Sequence, residues 1–295
     1  MGVGKTIVGE TFGNLLGLHY VPVADPRYVT GRFNAHFVRC LLFHCDEAFW
    51  AGDRVAEGKI KDLITGKRHP IELKGFEVFF VPNYVRVFIN GNPGWLVPAG
   101  LGERRFATLD VAQTHKEDIP YFRAMVDELN HGGYQRLLDE LLNCDLSTVD
   151  LRHIPKTEAL LDQKIASLSP EDGWWFDILK RGKLPHDTQD AVAGRCPGQM
   201  LYDDYIEHAQ KQGARRRQIE TAIGIFLNNT VPGLTSAVDT FTVKDTANYG
   251  GRHNPPVTRR GTIYTFPTLA ECRRAFEKKL FQSVAWPKID NWLVD

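Results

Sequence analysis

Two short apolar runs that break off in polar side chains constrain this chain more than anything else in it: "LLFHCDE" (41–47) and "YVRVFINGN" (84–92). Each has the length and the continuous apolar content of a buried strand, Leu and Phe in the first and Val, Phe and Ile in the second. Around them the period of the pattern changes. Ile7 to Leu16 has the make-up of a short helix, "LHYVPV" (18–23) reads as a strand, and "DRVAEGKIKDLITG" (53–66) puts Val55, Ile60, Leu63 and Ile64 at helical spacing before a stopping Gly66. "HPIELKGFEVFFVP" predicts two strands turning about Lys74-Gly75, and "RRFATLDV" predicts a further strand. Strands alternating with helices predict an α/β fold with a mostly parallel sheet.

From about Pro120 to Gly182 the pattern turns helical, with apolar residues three and four apart in "YFRAMVDELN", "YQRLLDELLN" and "KTEALLDQKIASL". "RGKLPHDTQDAVAGRCPG" has Gly, Pro and polar residues without apolar periodicity and reads as a linker. Beyond it come helices in "QMLYDDYIEHAQKQG" and "RRRQIETAIGIFLNN", a polar loop, and a strand in "RRGTIYTF". The predicted organisation is a core over 1–112, a helical subdomain over 113–182, a linker over 183–195 and a C-terminal domain over 196–295. At 43 % apolar, 295 residues can bury cores of this number.

The chemistry gathers at the ends of the predicted strands. "GVGKT" at 2–6 carries the back half of a phosphate-binding loop, in which Gly2 and Gly4 let the backbone turn, Lys5 reaches the β and γ phosphates of ATP and the Thr6 hydroxyl reaches Mg2+. Asp46 and Glu47 close an apolar strand, so one carboxylate can hold a magnesium shell and the next can polarise an attacking water. Asn92 closes another strand and can set a carboxamide beside the γ-phosphate, although "NGNPG" is also strong turn chemistry. Arg104 and Arg105 read equally as solvated charges or as a guanidinium reaching a neighbouring subunit's γ-phosphate.

Cys40, His44 and Cys45 lie close in sequence, but in an apolar strand alternate side chains face opposite ways, which favours core residues over a metal site. Five scattered cysteines without a C-x-x-C pair predict reduced thiols. No apolar run approaches the roughly 20 residues of a membrane span, so the expectation is a cytoplasmic protein without a membrane partner. With 36 basic and 36 acidic residues, any nucleic-acid contact must come from local clusters.

The succession "GVGKT", "CDEAFWAGD", "IKDLITGKRHPIELKG", "VPNYVRVFINGNPGWLVPAG" and "ERRFATLDV" resembles the superfamily 3 helicase domain of phage and plasmid primase-helicases, in the branch of the helicase-like part of phage primase-polymerases. The resemblance is most specific over 30–111 and looser in the tail. It implies an AAA+-like P-loop NTPase core with a helical subdomain and a winged-helix-like C-terminal domain. It further implies a homo-hexameric ring that hydrolyses ATP with Mg2+ and translocates on single-stranded DNA. By motif, Gly2, Gly4, Lys5 and Thr6 fall in Walker A, Asp46 and Glu47 in Walker B, Asn92 at the sensor, and Arg104 or Arg105 at the arginine finger. Lys61, Lys67, Arg68 and Lys74 match the region whose hairpin contacts DNA in the channel.

In the tail, Arg215, Arg216 and Arg217 open a predicted helix whose Ile219, Ile223 and Phe226 can face a core, and Arg259 and Arg260 flank a wing-like strand. Single-stranded and forked DNA are the expected partners. The departure from the family lies at the start, where the first strand and first loop glycine do not precede Gly2. An internal methionine taken as a start is the simpler expectation, with a primase or polymerase domain upstream in the full protein. The competing functions are an ATPase-defective DNA-binding remnant and an AAA+ ATPase that remodels protein.

Overall fold

The computed structural model describes residues 2–47, 54–92, 96–97, 99–150, 153–185, 192–214, 217–243 and 257–293. The chain divides into two compact units, one of Met1–Ala99 with Glu103–Ala166, the other of Gly100–Gly102 with Ser167–Asp295.

The first unit opens with α1 (Lys5–Leu16), followed by β1 (Tyr20–Val23), the short α2 (Arg27–Thr30), β2 (Leu42–Asp46), α3 (Arg54–Thr65), β3 (Arg68–Ile71), β4 (Phe79–Pro82) and β5 (Arg86–Asn90). The sheet runs β1-β2-β5, parallel at both seams, as the alternation of strands and helices predicts. The register sets Cys45 beside Ile89 and Asp46 beside Asn90. Phe43 and Cys45 point to one face, where they are fully buried with Ile60, Leu63, Ile71, Val85 and Val97. His44 and Asp46 point to the other face, toward α1.

β3 and β4 form the expected hairpin, antiparallel, with Gly75 in the left-handed region at φ 82°. Two asparagines fasten it. Asn34 donates to the Pro70 carbonyl and accepts from the Glu72 amide, both at 2.8 Å. Asn83 donates to the Leu63 and Gly66 carbonyls and accepts from the Val85 amide. "RRFATLDV" forms no strand: Phe106 is buried in the core, but among the described residues no backbone pairs with the segment.

Three helices complete the unit: α4 (Ile119–Glu128), α5 (Tyr134–Leu142) and α6 (Glu158–Ala166), within a few residues of the predicted ones. Asp118 caps α4 by accepting from the Tyr121 amide. None of the residues of α4 or α5 is buried. α6 is different: Ala159 and Leu160 are buried, and the Gln163 side chain accepts from the Leu96 and Val97 amides at 2.6 and 3.2 Å.

The second unit contains α7 (Pro170–Arg181), β6 (Arg195–Pro197), α8 (Gly198–Lys211), α9 (Glu220–Thr230), β7 (Thr235–Val243), β8 (Val257–Thr265) and α10 (Leu269–Leu280). Its sheet is antiparallel, in the order β6-β8-β7. The unit begins near 167, ahead of the predicted boundary, because α7 places Trp174, Trp175, Ile178 and Leu179 in this core rather than in a helical subdomain with α4 to α6. The segment predicted as a linker contributes β6 and a buried Leu184.

Three helix ends here have a cause in the sequence. Ser169 caps α7 and Gly182 closes it in the left-handed conformation, while Thr268 and Glu271 form a capping box on α10. The Arg273 guanidinium is buried and makes four hydrogen bonds, two to the Leu179 carbonyl and one each to those of Pro287 and Ile289. α9 begins later than predicted, so Ile219 is exposed and Ile223 with Leu227 faces the core. β7 occupies a stretch predicted as loop. Among the described residues no helix is long and apolar enough to cross a membrane. Cys40, Cys45, Cys196 and Cys272 are buried free thiols, and Cys144 is exposed. Burial pushes Cys40 and Cys272 up to about 12.

Candidate functional site

Side chains from three elements meet where α1 begins and β2 and β5 end. In a parallel sheet, that C-terminal edge is where ligands bind, because loops there diverge and helix N-termini point at the opening. Gly2 and Gly4 both adopt left-handed backbone, at φ 81° and 82°, and Gly4 leads directly into α1. A Cβ on Gly4 would stand 2.5 Å from the Phe122 ring, so close approach as well as φ demands glycine. α1 has no side-chain cap and no acid in its first turn, which leaves its first amides directed at whatever lies in front of the loop.

The Lys5 ammonium donates to the Gly91 carbonyl and, at 3.4 Å, to Asn92 Oδ1. The Thr6 hydroxyl donates to Asp46 Oδ2 at 3.3 Å. Asn92 Nδ2 donates to Glu47 Oε1 at 2.8 Å. Five residues singled out from sequence, Lys5, Thr6, Asp46, Glu47 and Asn92, therefore stand in one cluster. Glu47 carries a backbone signature as well. Its φ of 52° is left-handed for a residue with a Cβ, at a cost of roughly 1–2 kcal/mol, and its amide donates to the Asn90 carbonyl at 2.9 Å.

A second layer lies beneath this cluster, one that no single stretch of the sequence marks. Asn90, 6 % exposed, donates from Nδ2 to Asp46 Oδ1 at 2.6 Å and to the Thr6 hydroxyl at 3.3 Å. Its Oδ1 is hydrogen-bonded to His44 Nε2, and His44 Nδ1 is hydrogen-bonded to the Tyr20 hydroxyl at 2.6 Å. Burial, then the charges of Glu10 and Asp46, raise the Tyr20 phenol above its ordinary value, so it remains an O–H donor. His44, read from sequence as a core residue, is buried at 1 % exposure and hydrogen-bonded through both ring nitrogens. The available signals were its place two residues before Asp46, on the same strand face, and the pairing of Asn90 with Asp46.

The remaining predicted residues lie apart from this cluster. Arg105 donates to Glu103 Oε2 at 2.9 Å, and the buried Glu103 carboxylate also accepts from the Arg104 and Arg105 amides. Among the described residues no partner holds the Arg104 guanidinium. Lys61 is half-buried on α3, while Lys67, Arg68 and Lys74 are exposed on the hairpin. The Arg68 guanidinium lies 5.6 Å from the centre of the exposed Phe80 ring, and Phe76 and Tyr84 are exposed nearby in sequence. Arg217, Arg259 and Arg260 are exposed in the second unit. Arg215 and Arg216 lie outside the described residues.

Residues 1–105 match a family described as a family of unknown function (DUF5906). No curated protein matches the chain at a significant level. Solved structures of the NrS-1 C terminal region share the fold. The apo structure of residues 305–718 superposes with a TM-score of 0.56 at 14 % identity, over 90 % of this chain and 65 % of that one. An A form apo structure of the same region gives 0.56 at 15 % identity, with the same coverage. The chain thus spans about 65 % of the length of the NrS-1 chains it resembles.

Proposed function

We propose that the chain is the ATP-driven motor module of a phage or mobile-element replication protein, a DNA helicase that moves on single-stranded DNA as a ring. One observation carries the reading: Lys5, Thr6, Asp46, Glu47 and Asn92 converge where α1 begins and β2 and β5 end. The likeness in fold to the NrS-1 C terminal region supports it.

In this reading Lys5 exchanges the Gly91 carbonyl and Asn92 for the β and γ phosphate oxygens of ATP. Thr6 and Asp46 would hold magnesium, which supplies positive charge to the phosphates when bound. The donor set fits that cation. Among the described residues there is no cluster of three His, Cys, Asp or Glu side chains, and Mg2+ keeps several waters and needs only one or two protein ligands beside the phosphates. Glu47 takes the proton of the water whose oxygen attacks the γ-phosphorus as the bond to the β-phosphate oxygen breaks, leaving ADP and phosphate. Asn92 holds Glu47 in position. Arg104 is the guanidinium that reaches a neighbour's γ-phosphate, since Arg105 is occupied by Glu103.

For the DNA, Lys67, Arg68 and Lys74 would meet phosphates, and the exposed rings of Phe76, Phe80 and Tyr84 would stack on unpaired bases. In the second unit, the order α7, β6, α8, α9, β7, β8 with an antiparallel three-stranded sheet supports a winged-helix reading. Arg217, Arg259 and Arg260 would then lie along a duplex at the fork.

Titration with a fluorescent, non-hydrolysable ATP analogue tests the central claim. Saturable binding is expected, weakened at least tenfold by Lys5→Ala, because loss of a charge-assisted contact costs on the order of 1.5–3 kcal/mol. Lys67→Ala should leave that affinity intact. Wild-type chain that is folded and binds no analogue, or Lys5→Ala that binds as well as wild type, would overturn the reading.

A further inference from the structure

The second layer beneath the cluster has a direction, and one charge sets it. An ionised Asp46 can only accept hydrogen bonds, so the end of the Asn90 amide that faces it must be the NH2. Asn90 then presents its carbonyl to His44, whose Nε2 must carry a proton, and in a ring with one proton His44 Nδ1 is left bare to accept from the Tyr20 O–H. The same Asn90 NH2 reaches the Thr6 hydroxyl, whose own hydrogen points to Asp46 Oδ2. The hydroxyl rotor is thereby fixed with one lone pair unused. The Tyr20 phenol's raised ionisation point keeps the outer end of the line a donor.

Packing ties the same line to the phosphate loop. Gly9 and Gly13, one helical turn apart on α1, are its buried residues. A Cβ on Gly9 would stand 2.5 Å from Cε1 of His44, and a Cβ on Gly13 would stand 2.5 Å from Cδ2 of Tyr20. The helix that begins at Lys5 therefore lies directly against both rings.

We infer that Tyr20, His44 and Asn90 form a single hydrogen-bond line, with His44 the neutral Nε2–H tautomer, that positions Asp46 and the Thr6 lone pair for a divalent cation. The inference rests on the reading of this cluster as an ATP site. Asn90, His44 and Tyr20 are positioning residues in it, while Asp46 and Thr6 are the proposed ligands.

Two measurements on the full chain test it. Ring-nitrogen NMR, with His44 assigned by His44→Gln, is expected to report the Nε2–H tautomer in the absence of nucleotide. Asp46→Asn, which offers both a donor and an acceptor, lets the line run either way and should replace the single tautomer by a mixture. An Nδ1–H tautomer in the wild type would overturn the inference, whether or not nucleotide binds.

The second measurement is the Mg2+ concentration needed to tighten binding of the fluorescent analogue. Asn90→Leu should raise it about ten- to a hundred-fold, the usual consequence of losing a partner behind a metal ligand. Binding in EDTA should be unchanged, and His44→Gln, which keeps an N–H donor, should sit closer to wild type than His44→Leu. Tyr20→Phe is the mildest variant, and circular dichroism confirms that each variant is folded. An unaltered Mg2+ requirement in folded Asn90→Leu would overturn the inference. A wild type that binds no analogue at all would sink the ATP reading instead, and the tautomer would still decide the line.

Discussion

The polar groups beneath α1 and those on the β3–β4 hairpin follow opposite designs. Under α1, His44 and Asn90 are buried and each polar side-chain end meets a partner. On the hairpin, Lys67, Arg68 and Lys74 are exposed, and Phe76 and Phe80 show 72 % and 55 % of their surface to solvent. The first arrangement fixes geometry at the cost of tolerance, because any buried group that loses its partner is left unsatisfied. The second leaves most of its groups open to something outside the chain, although the Arg68 guanidinium also donates to the Phe80 carbonyl at 3.1 Å. Neighbouring Arg104 and Arg105 repeat the contrast within two residues: Arg105 is bound to a buried carboxylate, while no described partner holds the Arg104 guanidinium.

The contrast is sharpest for two phenylalanines. Phe43, fully buried on β2, should cost about 3–5 kcal/mol of stability as Phe43→Ala. Phe80→Ala should stay within about 0.5 kcal/mol of wild type in urea unfolding. It should instead weaken binding of a short single-stranded oligonucleotide by about 1–3 kcal/mol, the range for loss of one stacked base. Loss of stability in Phe80→Ala with unchanged oligonucleotide affinity would erase the distinction.

The arginine pair gives a smaller effect of the same kind. Arg105→Ala takes from the buried Glu103 carboxylate its guanidinium partner, leaving the two backbone amides and the charge of the buried Lys164, and should lower stability by roughly 1–3 kcal/mol. Arg104→Ala should leave the unfolding midpoint in place and lower only ATP turnover. Equal unfolding midpoints for the two variants would count against the buried role of Arg105.

The smallest expected change is in the second unit, where Arg259 and Arg260 are exposed on β8. Replacing both with alanine should reduce the slope of log affinity against log salt on duplex DNA by up to about 1.8, at about 0.9 per lost phosphate contact. A slope that does not move would exclude β8 from the contact.

What could be read in advance was whatever lay within one local pattern. Lys5 and Thr6 belong to a contiguous string, and Asp46, Glu47 and Asn92 stand at or just past the ends of apolar runs, so the strand ends announced them. Asn90 did not stand out because its role comes from a neighbour 44 positions away across the sheet. His44 was hidden by the cysteines beside it. Gly9 and Gly13 carry a sequence signal of this layer: glycine inside a helix costs roughly 1 kcal/mol against alanine, and two at one-turn spacing mark a face pressed against something bulky.

In the second unit β7 is not legible in the sequence because its first six residues are exposed on both faces, so no alternation marks the strand. "RRFATLDV" had the composition of a strand, but Phe106 is buried by side-chain packing alone, and composition cannot supply a pairing partner.

The five thiols divide in a way that matters at the bench. Four are buried, and burial keeps them protonated, whereas Cys144, just past α5, stands in solvent. Alkylating reagents react with accessible thiolate, so the folded chain offers them a single attachment point. A maleimide dye or spin label placed there needs no cysteine-free background, and it sits beside a helix with none of its residues buried.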